Sequence, residues 1–488
     1  MTDNKIPYLL ALCPILLLII LLSVNVVIYD NAIGGSNQLA LLFSGSLAAI
    51  IGILYGSKWK GIIEGISNSI KSIVPAIIML LLIGSLAGTW LISGVIPTMI
   101  YYGLKIINPT IFLFATAIIT AIVSLSTGSS WSTIATVGIA LLGIGTAIGL
   151  PLGLIGGSII SGAYFGDKMS PLSETTNMAA AISGVDLFDH IKYMMYTTIP
   201  SFIITLILFL VIGFYFPTDV SSEQIEQALA IISNKFFISP WLFSVPILVI
   251  AMIIKKVQAI PALFFGTLLG GIFAILFQPE IVLEVSGSSI DSISSYYMGV
   301  LNAMIGDINF SEVNSSINDV FNVAAADRSD LLKSGGMYGM LNTLLLIFCA
   351  MTFSGSVEAT GLLSRIAEPI VKYAQNTGSL IATTACTCIF FNVTTSDQYM
   401  SLVVPGRMFA DTYKEKGLAA ENLSRTLEDS GTVTSVLIPW NSCGATQSAI
   451  LGVATLAYLP FCFFNIISPL MTIAYGYFGI KIKKTYSA

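Results

Sequence analysis

Apolar runs of bilayer-spanning length recur from one end of this 488-residue chain to the other. A hydrocarbon core about 30 Å thick takes about 20 helical residues to cross. Runs near that length lie at 8–28, 38–56, 73–93, 110–125, 131–149, 152–165, 192–216, 241–256, 258–277, 337–357, 378–393 and 442–478. The last is long enough for two segments, with Pro460 or Pro469 as the break. The pieces 95–107, 131–149, 361–374 and 430–438 are short or interrupted. The pattern predicts an all-α polytopic membrane protein of about 12 segments. With 55% hydrophobic and 10% charged residues, an ordinary soluble domain is excluded.

The first run is flanked only by Lys5 and is followed by no small-residue cleavage site, so it is expected to remain as a helix. The six cysteines fall in or beside apolar segments without metal-ligand spacing and read as packing residues. No phosphate loop, nucleotide fingerprint or zinc motif occurs. That argues against ATP-driven work by this chain alone, against an enzyme and against a nucleic-acid partner; no cofactor is expected.

Basic residues flanking short loops mark the cytoplasmic side. Lys5, Lys58, Lys60, Lys71, His190, Lys192, Lys255, Lys256, Lys481, Lys483 and Lys484 can share one face, with both termini cytoplasmic. The segments 29–37, the acidic 217–235 and the long 278–335 then fall outside, the last rich in acid from Glu280 to Asp327 and Asp330 against Arg328 and Lys333. On this reading the runs opening near 73 and near 337 start on opposite sides, as inverted repeats do. Residues 86–94 match 353–361 in glycine spacing, residues 126–130 then land on 393–397, and Asp167 falls opposite Asp429 after a short deletion. The expected organisation is 1–72 as N-terminal helices, 73–216 as a first repeat, 217–277 as additional helices, 278–335 as an external connector, 336–480 as a second repeat and 481–488 as a basic tail. The polar stretch 411–428 reads as a solvated helix on the membrane surface.

Two polar inserts interrupt the apolar pattern, one at 165–177 and one at 428–441. Backbone that leaves the helix at bilayer depth must face protein or water, and paired interruptions in two halves suggest discontinuous helices and re-entrant hairpins around a midplane site. Asp167 is the leading residue: a buried carboxylate must be paired, take up a proton or hold a cation. A proton and a sodium ion can each neutralise it, but not both at once, which yields exchange by competition. Lys168, next to it on a helix, would point elsewhere.

Glu174 and Asn177, with Ser170 and Ser173 beside them, offer the oxygen ligands that hard cations favour, or cap a helix. Ser126, Thr127, Ser129 and Ser130 cluster at a break that Gly128 permits, and Asp397 holds the matching place in the second half. Of the adjacent Glu428 and Asp429, only one should face the site. Asp429 is preferred, with Asp167 and Asp429 as the expected sodium carboxylates, and Glu428 is left to the surface helix. Asn441 could ligate without charge. Arg407 could pair Asp397 or bind an organic carboxylate.

At these residues the chain resembles the NhaC family of sodium/proton antiporters within the ion-transporter superfamily. The resemblance spans nearly the whole chain. It is carried most specifically by Tyr164-Phe-Gly-Asp-Lys-Met-Ser-Pro-Leu-Ser-Glu-Thr-Thr176, by Ser126-Thr-Gly-Ser-Ser-Trp-Ser-Thr133, and by Leu427-Glu-Asp-Ser-Gly-Thr432 with Pro439-Trp-Asn-Ser-Cys-Gly444. It implies a multi-pass transporter of the bacterial inner membrane that exchanges sodium for protons, with residues 166–174 lining the site. Similar relatives exchange organic acids or amino acids, which stays open as the alternative, as does a homodimer. The expected partners are the lipid bilayer, sodium ions and protons.

Overall fold

The computed structural model describes residues 6–29, 35–106, 108–215, 221–255, 257–321, 330–367, 369 and 375–485. Lys5, Lys256, Asp327, Arg328 and residues 217–220, which entered the sidedness reading, lie outside them. Among the described residues nine helices are long and apolar enough to cross a bilayer, or up to eleven if each of two sharply bent helix pairs counts as one span. The helix Leu152–Met169 forms as expected, but its glycines, serines and charged end keep it out of that count. The run 442–478 divides into Ser442–Leu451, Thr455–Tyr458 and Phe463–Phe478. Its sharp bend, 55°, falls at the turn containing Pro460, whereas Pro469 sits inside an unbroken helix.

Several elements recur at the spacing that matches residues 86–94 with 353–361. Val74–Ile92 and Leu341–Ala359 are both 19 residues long. Gly94 and Gly361, which follow at matched spacing, both take a left-handed conformation. The next long helices, Phe112–Thr127 and Thr377–Thr394, end at the matched residues Thr127 and Thr394, each at a backbone break. In the first half the left-handed residue is Gly128, with φ 68°. In the second it is Ser396, with φ 58°. Outside the register that sets Asp167 opposite Asp429, Glu174–Ser183 and Ser442–Leu451 are both ten residues long and both stop at a left-handed glycine, Gly184 and Gly452.

Close helix packing sets the position of the polar residues. The helix Phe112–Thr127 lies against Leu152–Met169 through Gly162 and Gly166, where an added Cβ would stand 2.1 Å from the Ala117 carbonyl oxygen and 2.2 Å from that of Ala121. Small residues one turn apart let two backbones touch where lipid supplies no hydrophobic drive. Main-chain contact at this depth fixes Asp167 against the first break.

The described residues of 278–335 form Pro279–Ser286, Ile293–Ile305 and Ser311–Val320, with a two-residue antiparallel pairing of Ile308–Asn309 and Lys333–Ser334. They pack on Val74–Ile92, with Ser85 Oγ donating to the Met304 carbonyl at 3.0 Å.

One expectation is overturned. The stretch 411–428 is not a solvated surface helix throughout: after Met400–Glu415, the helix Ala420–Leu427 runs into the protein, with Asn422 to Leu427 all buried. Its polar side chains misread as a wet face because each turns toward a partner. Ser424 Oγ lies 2.8 Å from His190 Nδ1, and Asn422 Oδ1 accepts from Tyr193 OH at 2.6 Å. The C-terminal tail straps this helix down: the Ala419 amide donates to the Lys483 carbonyl at 3.0 Å, and Lys483 Nζ reaches Glu421 at 2.5 Å.

Candidate functional site

The first break shapes a carboxylate cradle. Gly128 ends one helix in a conformation costly for other residues, and Ser129 starts the next by accepting the Ser132 amide at 3.2 Å. Ser130 then donates twice to Asp167 Oδ2, from its amide at 3.1 Å and its hydroxyl at 2.7 Å. Asp167 sits near the end of Leu152–Met169, 9% exposed, with the Ser173 hydroxyl also beside its carboxylate. Thr127 Oγ1 stands 3.3 Å from Thr133 Oγ1. Ser126 bonds back to the Ile122 carbonyl of its own helix at 2.8 Å, which is structural.

The second break, residues 170–173, ends at Glu174, which is exposed and accepts the Tyr399 hydroxyl at 2.6 Å. Asn177 Nδ2 donates to the carbonyls of Pro171 at 2.9 Å and Ser173 at 2.7 Å, latching the loop. In the second half, Asp397 is 5% exposed and Oδ1 takes the Tyr399 amide at 3.0 Å. Asn441 Oδ1 accepts the Cys443 amide at 3.0 Å, and Nδ2 donates to the Asn392 carbonyl at 3.1 Å. Those bonds make Asn441 a cap and a brace for the unwound stretch before it.

Both breaks open on one cavity of about 570 Å³, lined by Thr127, Ser129, Asp167, Glu174, Asp397 and Tyr399 among others. Five of the sequence-predicted site residues therefore meet there, and Ser130 reaches it through Asp167. Ser126, Asn177, Asp429 and Asn441 are not in its lining. Its charged groups are acidic, and among the described residues no lysine or arginine lines it. Arg407 is exposed. Carboxylate and hydroxyl side chains without a cationic anchor make a hard-oxygen set.

Asp429 is elsewhere engaged. It forms an ion pair with Lys168, both side chains fully buried, and Thr197 Oγ1 donates to its second oxygen at 2.8 Å. The expected sodium carboxylates thus have different partners, Ser130 for Asp167 and Lys168 for Asp429. Neighbouring helical residues point about 100° apart, so Lys168 turns away from Asp167 toward the second half. Glu428, assigned from sequence to the surface, is 0% exposed. A π-helical turn at Glu428–Thr432 swings this segment inward, and a polar composition alone gave no signal of it.

Broken helices from two halves converging on an acidic cavity are the build of a secondary transporter. Residues 162–480 match the model of the Na+/H+ antiporter family. The chain is 36% identical over 443 residues to the Na(+)/H(+) antiporter NhaC of Alkalihalophilus pseudofirmus, covering 90% of each chain. It is also 36% identical over 443 residues to the Malate-2H(+)/Na(+)-lactate antiporter of Bacillus subtilis, covering 91% of this chain and 89% of that one. Against the arginine/ornithine antiporter ArcD of Halobacterium salinarum it is 34% identical over 476 residues, covering 97% and 92%. The chain belongs to the NhaC-type Na+/H+ antiporter family. It is a multi-pass membrane antiporter, a transporter and not an enzyme.

Proposed function

We propose that this antiporter exchanges sodium for protons across the bacterial inner membrane by alternating access, with Asp167 as the carboxylate that both ions share. One observation carries the reading: Ser130 holds Asp167 Oδ2 while the residue lines the cavity where the two breaks meet. A carboxylate so placed is neutralised by a proton or by sodium, and either occupant licenses the swing between faces. Each net charge moved contributes about 2.3 kcal/mol per 100 mV of membrane potential. Asp397 and Glu174 supply further oxygens from the two sides of the cavity.

The repeats are proposed to be 73–216 and 336–480, inverted relative to each other, with 278–335 external and both termini cytoplasmic. The matched helix lengths and left-handed joints support the repeats; the lysine distribution supports the sidedness.

A second reading has its own support. The cavity is within the range of small-molecule sites, so an organic substrate fits by volume. Its acidic lining suits an amine or a basic amino acid better than an organic acid, because Lys168 is neutralised by Asp429 and Arg407 is exposed.

The test uses everted vesicles carrying the full chain. Sodium should dequench a pH-gradient dye in wild type and should fail to do so in Asp167→Asn. Unmutated rates in Asp167→Asn remove Asp167 from the coupling. Uptake of labelled malate, lactate or amino acids into proteoliposomes, exceeding sodium flux, would move the assignment to the organic exchanger.

A further inference from the structure

The carboxylate with the least protein support is not among those lining the cavity. Glu428 opens the π-helical turn Glu428–Thr432, is 0% exposed, and has both oxygens buried with no hydrogen-bond partner among the described residues. The hydroxyls of Ser430 and Thr432 in the same turn are also buried without partners. Thr432 and Thr175 stand next to the Glu428 carboxyl, and Lys168 and Asp167 are near enough to act on it electrostatically.

Among the described residues no basic side chain bonds to the Glu428 carboxylate. Lys168 is committed to Asp429 and donates besides to Ser468 Oγ at 3.1 Å. Arg425, on the preceding helical turn, donates to the Lys481 carbonyl at 3.2 Å and lies 4.7 Å from the Tyr193 ring centre. An ionised carboxylate buried without a bonded counter-charge costs several kcal/mol, so Glu428 is neutralised either by a proton or by a bound cation. The groups gathered there are oxygens: two from Glu428, one from Thr432 and one from Thr175. Small hard cations take oxygen sets of this kind, and π-turns recur at functional sites because they re-aim side chains without ending the helix. Thr175 also lines the cavity, so this hydroxyl joins the two places.

We propose that Glu428, with the hydroxyls of Thr432 and Thr175, forms a second binding site for a monovalent cation, sodium, beside the Asp167 cavity. The inference rests on the sodium reading of that cavity. It also moves the second-half carboxylate from Asp429, which the sequence favoured, to its neighbour. Asp429 then has a different task, holding Lys168 so that its charge does not repel the ion at Glu428.

Equilibrium binding of radiolabelled sodium to purified full-length protein in detergent, at one fixed alkaline pH, tests this. Wild type should bind one ion more than Glu428→Gln, and Asp167→Asn should lose a different ion and keep the one at Glu428. Bound sodium unchanged in Glu428→Gln overturns the site, including the case in which Glu428 carries only a proton; the Asp167 reading then survives if Asp167→Asn still loses its ion. Wild type that binds no sodium overturns both. Should Glu428→Gln fail to fold, Glu428→Asp and Thr432→Val take its place. Each should weaken sodium binding by about tenfold, and unchanged affinity in both sinks the proposal.

Discussion

Lys168 and Asp429 close an ion pair in which neither side chain meets solvent, joining the helix Leu152–Met169 of the first half to the π-turn of the second. Ser468 and Thr197 add hydroxyls to the same junction. The pair is a rivet between two segments 261 positions apart in sequence.

Removing one side of such a pair leaves a buried charge alone. Asp429→Asn should destabilise the protein by about 3–5 kcal/mol, whereas Lys168→Met with Asp429→Leu should recover most of that loss. Thermal unfolding of the purified variants, compared as a double-mutant cycle, checks it. A single variant as stable as wild type would mean that the junction carries no weight.

Ser130 spends both its donors on one oxygen of Asp167. Hydrogen bonds to charged groups contribute about 1.5–3 kcal/mol, so Ser130→Ala should raise the sodium concentration for half-maximal exchange by about tenfold or more. The amide bond survives the substitution, so activity should persist at saturating sodium. Dye dequenching across a sodium series reads the effect.

Gly166 meets the Ala121 carbonyl where any side chain would intrude. Gly166→Ala should cost about 1–3 kcal/mol by forcing the helices apart, and Gly166→Val more. Exchange should fall with it, since the same contact sets Asp167 against Ser130. Gly61→Ala is the control: nothing lies within 4 Å of its added Cβ in an exposed helix, so stability should hold or rise by about 0.5–1 kcal/mol.

Tyr399 reaches Glu174 at 2.6 Å across the cavity, tying the break of one half to that of the other. Tyr399→Phe cuts the tie without changing shape. The expected outcome is a faster maximal exchange rate with sodium affinity within about twofold of wild type, as for a gate that limits turnover. Stopped-flow exchange in proteoliposomes separates rate from affinity; a large loss of affinity would instead make the tyrosine a ligand.

The periodic features were the legible ones. Gly94 with Gly361, and Thr127 with Thr394, could be aligned because backbone breaks need particular residues at particular spacings. Asp167 stood out because its cost in a bilayer is high whatever surrounds it. The helix Ala420–Leu427 was misread since its polar residues are satisfied by tertiary partners, His190 and Tyr193 among them, that lie over two hundred positions away in sequence. The choice between Glu428 and Asp429 depended on the π-turn, which rotates side chains relative to regular helix, and on where Lys168 spends its charge. Neither has a local signature. Asn441 and Asn177 carry the residue type of a ligand, yet their amides hold loop geometry instead.

The two joints of this molecule are not twins. Gly128 takes its left-handed bend at no steric cost, while Ser396 adopts the same bend against a penalty of about 1–2 kcal/mol. One hinge is slack and the other is sprung. Glycine in place of Ser396 would release that penalty, so the second joint rather than the first is where this fold has stability left to gain.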